Sequence, residues 1–567
     1  MLKFHKGSSM LMSVRKGKVV NMTYKKKVLI TVETLVVVAG AAGLVVNHAR
    51  NITRGSTEKF TMVQTSPIDS LDPILGYNPS SGTVVGNTYE GLYSVDDKNK
   101  VHLALAAKVK TSEDGKTKTF TIRKNAKWSN GTPVTADDFV FAWRRLANPK
   151  NASGFNFQPG AAGLKNADDI VAGKKPVSSL GVSAEGKKTL VLHLDRKVPY
   201  LNKLLSFNAF APVNEQFYKK AGKNFAQNDQ NLISAGPYKV KDWELGDNEV
   251  TLVKNKDYWD AKHVQAKTVK MNIITDPEKA AIAFKDGSAD YTPISGQLAT
   301  KFREDKAFKT ELGPFTQYLM INMKKKGLDN ADLRKVINSS INKKTITNHI
   351  LKDGSEPVKS MIMKDLYKDT TNNDKDFADE SAAGYTYSPA KAKAYWQAAK
   401  SETNLRAFTI TYDDSDPSYA NVAAYMKSQI EKNLPGMKVT LQQLSKKTRI
   451  DKMGSGDFET VLTRWGPDYA DPSAILSMYQ SDNVSNYAKF NSPEYDQLLA
   501  DAASKYADDT AKRNDTLQKA NNLLIDSAAS APLYQSGAPV LQRQNIHGLV
   551  QHISGVPYTF KYVTLKR

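Results

Sequence analysis

Apolar and polar positions alternate along two short runs, 108–112 and 118–123, that flank Asp114-Gly115. A period of two marks half-buried strands, and Asp-Gly between such runs is a strong hairpin signal. Phe120 and Ile122 then share one face. The period changes after the Asn130-Gly131 turn. Thr135 is a good N-cap, Asp138 completes a capping-box pattern, and Phe139, Ala142, Trp143 and Leu146 fall on one helical face. Further strands are predicted at 60–63, at Leu190, Leu192 and Leu194, and after Gly236-Pro237. A helix ends before the glycine stop at Gly287, another carries the stripe Leu333, Val336, Ile337 and Ile341, and a third opens at Ser388-Pro389. Stripes of this kind build a core, and none of these residues reads as catalytic.

One apolar stretch is of another kind. Lys25-Lys26-Lys27 precede a 19-residue run, 28–46, interrupted only by Thr31, Glu33 and Thr34. A basic flank before an apolar run is the layout of a secretory signal or a signal anchor. The length just suffices to span a bilayer, and Glu33 makes such a span costly. Residues 1–21 precede a second good start, Met22, and read as an upstream extension, so that 1–50 is extension plus signal or anchor.

Composition limits what the body can do. The chain has 567 residues, 40% hydrophobic and 24% charged, which fits several globular domains rather than one. It has no cysteine, which removes disulfides, thiol nucleophiles and Cys-bound zinc. The net charge is +22, with eight Lys or Arg and no acid in the first 27 residues. The remaining basic charge is dispersed among acids, without the Lys/Arg stripe and interleaved aromatics of a nucleic-acid binder. Solubility and attraction to a membrane or an anionic cell wall both fit it. The eight histidines are scattered, and no phosphate-binding glycine loop, nucleophile elbow or zinc-protease motif is present. No enzyme, cofactor or metal is therefore expected.

Candidate chemistry concentrates in 464–472, Arg-Trp-Gly-Pro-Asp-Tyr-Ala-Asp-Pro. A glycine and two prolines predict a rigid turn rather than a regular element. An acid, Asp468, held beside Trp465 and Tyr469 fits two readings: an ordinary surface turn, or a pocket that receives a cationic group. Asp471 reads as fixing the turn, and Arg464 as a structural ion pair or a partner for a ligand carboxylate.

This turn resembles the ligand-anchoring turn of oligopeptide-binding proteins, the extracytoplasmic receptors of bacterial ABC importers. The hairpin–turn–helix at 107–146, with Phe-Thr-Ile-Arg and Ala-Lys-Trp-Ser-Asn-Gly-Thr-Pro-Val-Thr-Ala-Asp-Asp-Phe, is similar to the signature region of extracytoplasmic solute-binding family 5. Ser70-Leu71-Asp72-Pro73 and 172–182 resemble it as well. The resemblance implies an α/β, two-lobed periplasmic-binding-protein-like clam with an additional inserted domain. Its lobe I is expected at 58–88 with 211–317 and 537–567, the inserted domain II at 89–210 and lobe III at 318–536. It also implies a monomer that binds oligopeptides with a free N-terminus in the interdomain cleft and passes them to a membrane permease. Asp468 would accept the peptide's α-ammonium, with Trp465, Tyr469, Arg464 and Gly466 around it.

Two departures matter. Val38-Ala39-Gly40-Ala41 resembles a lipoprotein signal of Gram-positive relatives, with Ala41 where the lipid-bearing cysteine would stand, so a place on the outer face of a Gram-positive envelope is expected without a conventional lipid anchor. Some relatives fix the peptide's carboxyl end with arginine or histidine at positions that here are Leu462, Met453 and about Ser418. Longer peptides, or an anchor at Lys452 or Arg464, follow. A receptor for a signalling or cell-wall peptide or another small solute, and a surface adhesion protein retaining the fold, stand as alternatives.

Overall fold

The computed structural model describes residues 58–566 apart from 152, 383, 415 and 417. The expected signal or anchor at 28–46 lies outside the described residues. Among those described, no helix is long and apolar enough to cross a membrane.

The predicted hairpin forms as Ala106–Thr111 and Thr117–Ile122, antiparallel, with Gly115 at φ +70° in its turn. Ser112 Oγ and the Lys116 amide both donate to the Asp114 carboxylate, at 2.5 and 3.0 Å, which locks that turn. Thr189–His193 and Val182–Ala184 extend it to a four-stranded antiparallel sheet. Helix Ala136–Ala147 starts on the capping box read from the sequence: the Asp138 amide donates to Thr135 Oγ1, and the Thr135 amide donates to the Asp138 carboxylate. Its Phe139, Ala142, Trp143 and Leu146 are buried, as are Phe120 and Ile122 of the hairpin.

A seven-stranded sheet is assembled from distant parts of the chain, in the order Phe308–Lys309, Val540–Gln542, Tyr291–Pro293, Lys59–Gln64, Thr268–Ile273, Glu249–Lys254, Tyr238–Lys241. Lys59–Gln64 runs parallel to both of its neighbours. Its core is continuous with that of the four-stranded sheet, through Phe60, Tyr238, Trp128 and Trp143.

The other large sheet has six strands, in the order Glu356–Pro357, Ser530–Gly537, Leu312–Ile321, Thr460–Trp465, Ala407–Asp413, Lys438–Leu444. Alternation along its central strand supplies two cores. Leu319 and Ile321 enter one with Phe408, Ile410 and Leu462, while Tyr318 and Met320 enter the other with Val461 and Tyr479.

The chain crosses between the two large sheets twice, after Phe308–Lys309 and after Ser530–Gly537. Each crossing is a couple of residues long, and the two run side by side, joined where the Ala538 amide donates to the Glu311 carbonyl at 2.8 Å. The divisions expected at 317/318 and 536/537 fall inside strands Leu312–Ile321 and Ser530–Gly537.

Candidate functional site

Strand Thr460–Trp465 carries the chemistry to the cleft. It pairs antiparallel with Leu312–Ile321, so Arg464 faces Gln317 and Trp465 faces Thr316. The rigid turn expected over 464–472 thus begins two residues later, because ladder hydrogen bonds continue through Trp465. Gly466 is required by a close approach: a Cβ there would lie 2.5 Å from the Pro314 carbonyl oxygen and 2.9 Å from the Phe315 ring. After it the chain leaves the sheet, and Asp468 and Tyr469 emerge on the wall of a cavity of about 1000 Å³.

Asp468 is half-buried and accepts one hydrogen bond, from Gln158 Nε2 at 2.5 Å to its Oδ2. No cationic side chain among the described residues pairs with it. Burial pushes its carboxyl up to about 6, against the opposing pull of the Gln158 donor. The ionised form is therefore under-compensated, the condition of a site waiting for a cation.

Asp471, three residues on, is fully engaged. Arg513 donates to it from Nη1 at 3.1 Å and from Nη2 at 2.8 Å, and both side chains are nearly inaccessible. Its Oδ1 also accepts from the Ser473 amide at 3.0 Å and Ser473 Oγ at 2.6 Å. Burial alone would raise its pKa, but the Arg513 guanidinium and the Lys203 ammonium more than offset that and hold it low. One aspartate is tied into the bend, while the other has no cationic partner among the described residues.

Further contacts join the half that carries this turn to residues of the hairpin-bearing half. Tyr469 stacks on Tyr200, with ring centroids 4.7 Å apart and planes 16° from parallel. Lys203 Nζ donates to the Ala470 carbonyl at 2.7 Å and lies 4.4 Å from the Tyr367 ring centroid. Lys197 pairs with Asp508.

Other polar groups around the cavity satisfy one another. Glu90 accepts from Tyr258 Oη and Trp259 Nε1, each at 2.6 Å, and Lys561 pairs with Asp260 at 2.7 Å. His552 is bonded at both ring nitrogens, to Asn99 Oδ1 and Thr559 Oγ1, each at 2.7 Å, and burial pushes its pKa down to about 4. It is neutral at physiological pH.

The structure thus brings Asp468 and Tyr469 to the cavity; Arg464, Trp465 and Gly466 are not among the residues that line it. The Arg464 guanidinium lies 4.5 Å from the Phe315 ring centroid, and Trp465 packs beside the Tyr318 core. Lys452, the other basic residue considered for a ligand carboxylate, pairs with Asp457 at 2.7 Å. Among the described residues no group of three or more His, Asp or Glu is placed to hold a metal ion.

Residues 100–487 match the family described as bacterial extracellular solute-binding proteins, family 5 Middle. The chain belongs to this family. Among relatives of this solute-binding protein, a dipeptide-binding protein of Lactococcus lactis is 30% identical over 517 residues, covering 88% of this chain and 93% of its own length. Of solved structures, OppA of Listeria monocytogenes bound to peptide superposes with a TM-score of 0.77 at 31% identity, over 90% of this chain and all of that one. The substrate-binding domain of an oligopeptide ABC transporter of Bacillus anthracis matches with a TM-score of 0.77 at 33% identity, over 90% of this chain and 99% of that one. The two-lobed α/β architecture with an additional domain is that of these solute-binding proteins.

Gln158, Tyr200 and Lys203 carry no sequence signal for a role at this site. They lie some 270 to 310 residues from the turn they touch, inside the stretch expected as the inserted domain, 89–210.

The elevated carboxyl gives a pH test. Only the ionised form attracts an ammonium, so affinity for a free-amine peptide is expected to climb as pH rises through about 6, at most about tenfold per unit below that. It then levels off and falls as the peptide's own α-amino group, with a pKa of about 8, loses its proton. The ligand-free fold responds with opposite sign. It holds the Asp468 proton more tightly than the unfolded chain does, so this group's contribution to stability declines between about pH 4 and 6. Calorimetric titrations from pH 5 to 9 check the first expectation, and a flat profile excludes it.

Proposed function

We propose that this solute-binding protein captures oligopeptides by their free N-terminus and delivers them to the membrane permease of an ABC importer. The observation that carries the reading is Asp468: an acid on the wall of a cavity of about 1000 Å³, with one amide donor and no cationic partner among the described residues. An extended peptide supplies the missing charge. It also brings a run of backbone donors and acceptors that protein main chain pairs in strand-like fashion. Five lysines and five acids line the cavity, among them Lys203, Lys368, Glu90 and Asp365, and such mixed walls accept varied side chains with water between. The names of its relatives, a dipeptide-binding protein and an oligopeptide transporter component, support the ligand class.

In this reading Asp468 meets the ammonium and Tyr469, stacked on Tyr200, shapes its surroundings. Arg464, Trp465 and Gly466 hold the strand end that presents them. The two large sheets act as jaws, with the four-stranded sheet as the inserted domain. The protein binds its solute and releases it unchanged, works as a monomer, and sits on the outer face of a Gram-positive envelope. The 28–46 segment and basic charge retain it there in place of a lipid.

Mass spectrometry of ligands that co-purify with the protein tests this directly. A ladder of mixed short peptides is expected. One defined non-peptide molecule overturns the reading, and a single defined peptide transfers it to a signalling or cell-wall peptide receptor.

A further inference from the structure

Lys203 stands on the short helix Leu201–Leu204 and, like Asp468, lines the cavity of about 1000 Å³. Its ammonium has three N–H donors, and the Ala470 carbonyl accepts one of them at 2.7 Å. The Tyr367 ring centroid lies 4.4 Å from Nζ. No carboxylate among the described residues pairs with Lys203. The acid that acts on it, Asp471, is already matched by the Arg513 guanidinium and accepts from Ser473 as well. Asp471, Arg513 and Lys203 together therefore carry one positive charge in excess, and burial pulls the Lys203 pKa down. Gripping a carbonyl takes an N–H but no charge, so the contact with Ala470 does not account for an ammonium here. A charge held out of water without a counter-ion is costly, and a ligand anion removes that cost.

Asp468 is not among the charges that act on Lys203, nor is Lys203 among those that act on Asp468. The cavity thus presents an acid and a base that do not neutralise each other. In the chain, Asp468 precedes Tyr469, and Ala470, which holds Lys203, follows it. A ligand with both an ammonium and a carboxylate satisfies the two together. We propose that Lys203 is a ligand-binding residue, one that receives a carboxylate of the captured peptide and so favours peptides with an acid close to the N-terminus. The proposal rests on the peptide-capture reading above and adds to it a second subsite of opposite charge. Asp468 and Ala470 are two residues apart, a span of at most about 7 Å between Cα atoms. That span places the carboxylate within about the first three residues of an extended peptide. Two groups supply it there: the C-terminus of a dipeptide or tripeptide, or an acidic side chain near the start of a longer peptide.

The test uses the full chain and competition between matched free-amine peptides, with captured peptides counted by mass spectrometry. One set holds dialanine and trialanine with a free C-terminus, beside the same peptides as C-terminal amides. The other holds alanine pentapeptide amides with Glu or Gln at the first, second or third position. The first set reads the terminal carboxylate and the second the acidic side chain. The wild-type protein is expected to retain the carboxylate form over its neutral counterpart about tenfold or more in one set or both, the range for a hydrogen bond to a charged group. Lys203→Gln keeps an N–H for the Ala470 carbonyl and removes the charge. In that variant the ratio of carboxylate to neutral forms is expected to fall to about one, a change that a lysine serving only to hold the loop would not produce.

A Lys203→Gln protein with the wild-type ratios overturns the proposal while leaving peptide capture intact. Equal retention of carboxylate and neutral forms by the wild-type protein, in both sets, does the same. Capture of none of these free-amine peptides overturns the peptide reading and this one with it. Should the variant fail to fold, carbodiimide coupling of the preferred peptide to the wild-type protein decides the matter. An amide bond between the peptide carboxylate and Lys203 is expected, and attachment only to other lysines, or to none, sinks the proposal.

Discussion

Asp468→Asn is expected to weaken binding of a free-amine peptide by about 2–5 kcal/mol, the range for truncating one partner of a buried charge pair. That is a loss of about thirty-fold to several thousand-fold. Asparagine preserves size and keeps a carbonyl oxygen facing the cavity, so shape is not what changes. What disappears is the charge that burial holds in under-compensated form, together with the pH dependence centred near 6. The loss should be confined to ligands with a free amine, while affinity for N-acetylated peptides moves little. Isothermal calorimetry with one pentapeptide in both forms decides it, and an unchanged affinity for the free-amine form removes Asp468 from the site.

Arg513→Met carries the second large effect, on stability first and on binding as a consequence. It strands Asp471, which is 2% exposed, without its bidentate partner. Breaking a buried pair from one side costs about 3–5 kcal/mol, because an uncompensated charge stays behind. The Ser473 amide and hydroxyl still donate to it, and Lys203 stays near, so a value toward the lower end is expected. Adding Asp471→Asn to the same protein should recover much of the loss, since the stranded charge is then gone. Urea melts of the two variants check this. Equal midpoints for wild type and Arg513→Met would mean that the pair contributes nothing.

The sequence made local structure legible wherever one period and one cap agreed. Thr135 and Asp138 reciprocate as a capping box because four consecutive residues suffice to build one. Phe120 and Ile122 are buried because alternation assigns faces without reference to the rest of the chain. Resemblance to a family supplied the larger frame, with Asp468 on the cleft. The turn is shorter than its composition suggests for a physical reason: Gly466 and Pro467 look like breakers, yet Arg464 and Trp465 remain paired to Gln317 and Thr316 until the glycine itself. Ladder hydrogen bonds to a strand some 150 residues away are invisible in a local window. The same distance hid Gln158, whose partner lies 310 residues downstream, and Arg513, which answers a carboxylate 42 residues before it. Role can be assigned to an acid from its neighbours in sequence, but its state of compensation depends on neighbours in space.

The paired passages between the large sheets, at 310–311 and 538–539, have a mechanical meaning. Two adjacent pins leave a door one easy motion, a swing about the line through both. Sliding or twisting would stretch the hydrogen bond from the Ala538 amide to the Glu311 carbonyl, and would press Gly537 into the 353–355 bend, where even a methyl group would sit 2.4 Å from the Asp353 oxygen. Apart from these passages, Gln158, Tyr200 and Lys203 also hold the aspartate-bearing loop. A swing about these passages would part the contacts at that loop while leaving every strand in its own sheet.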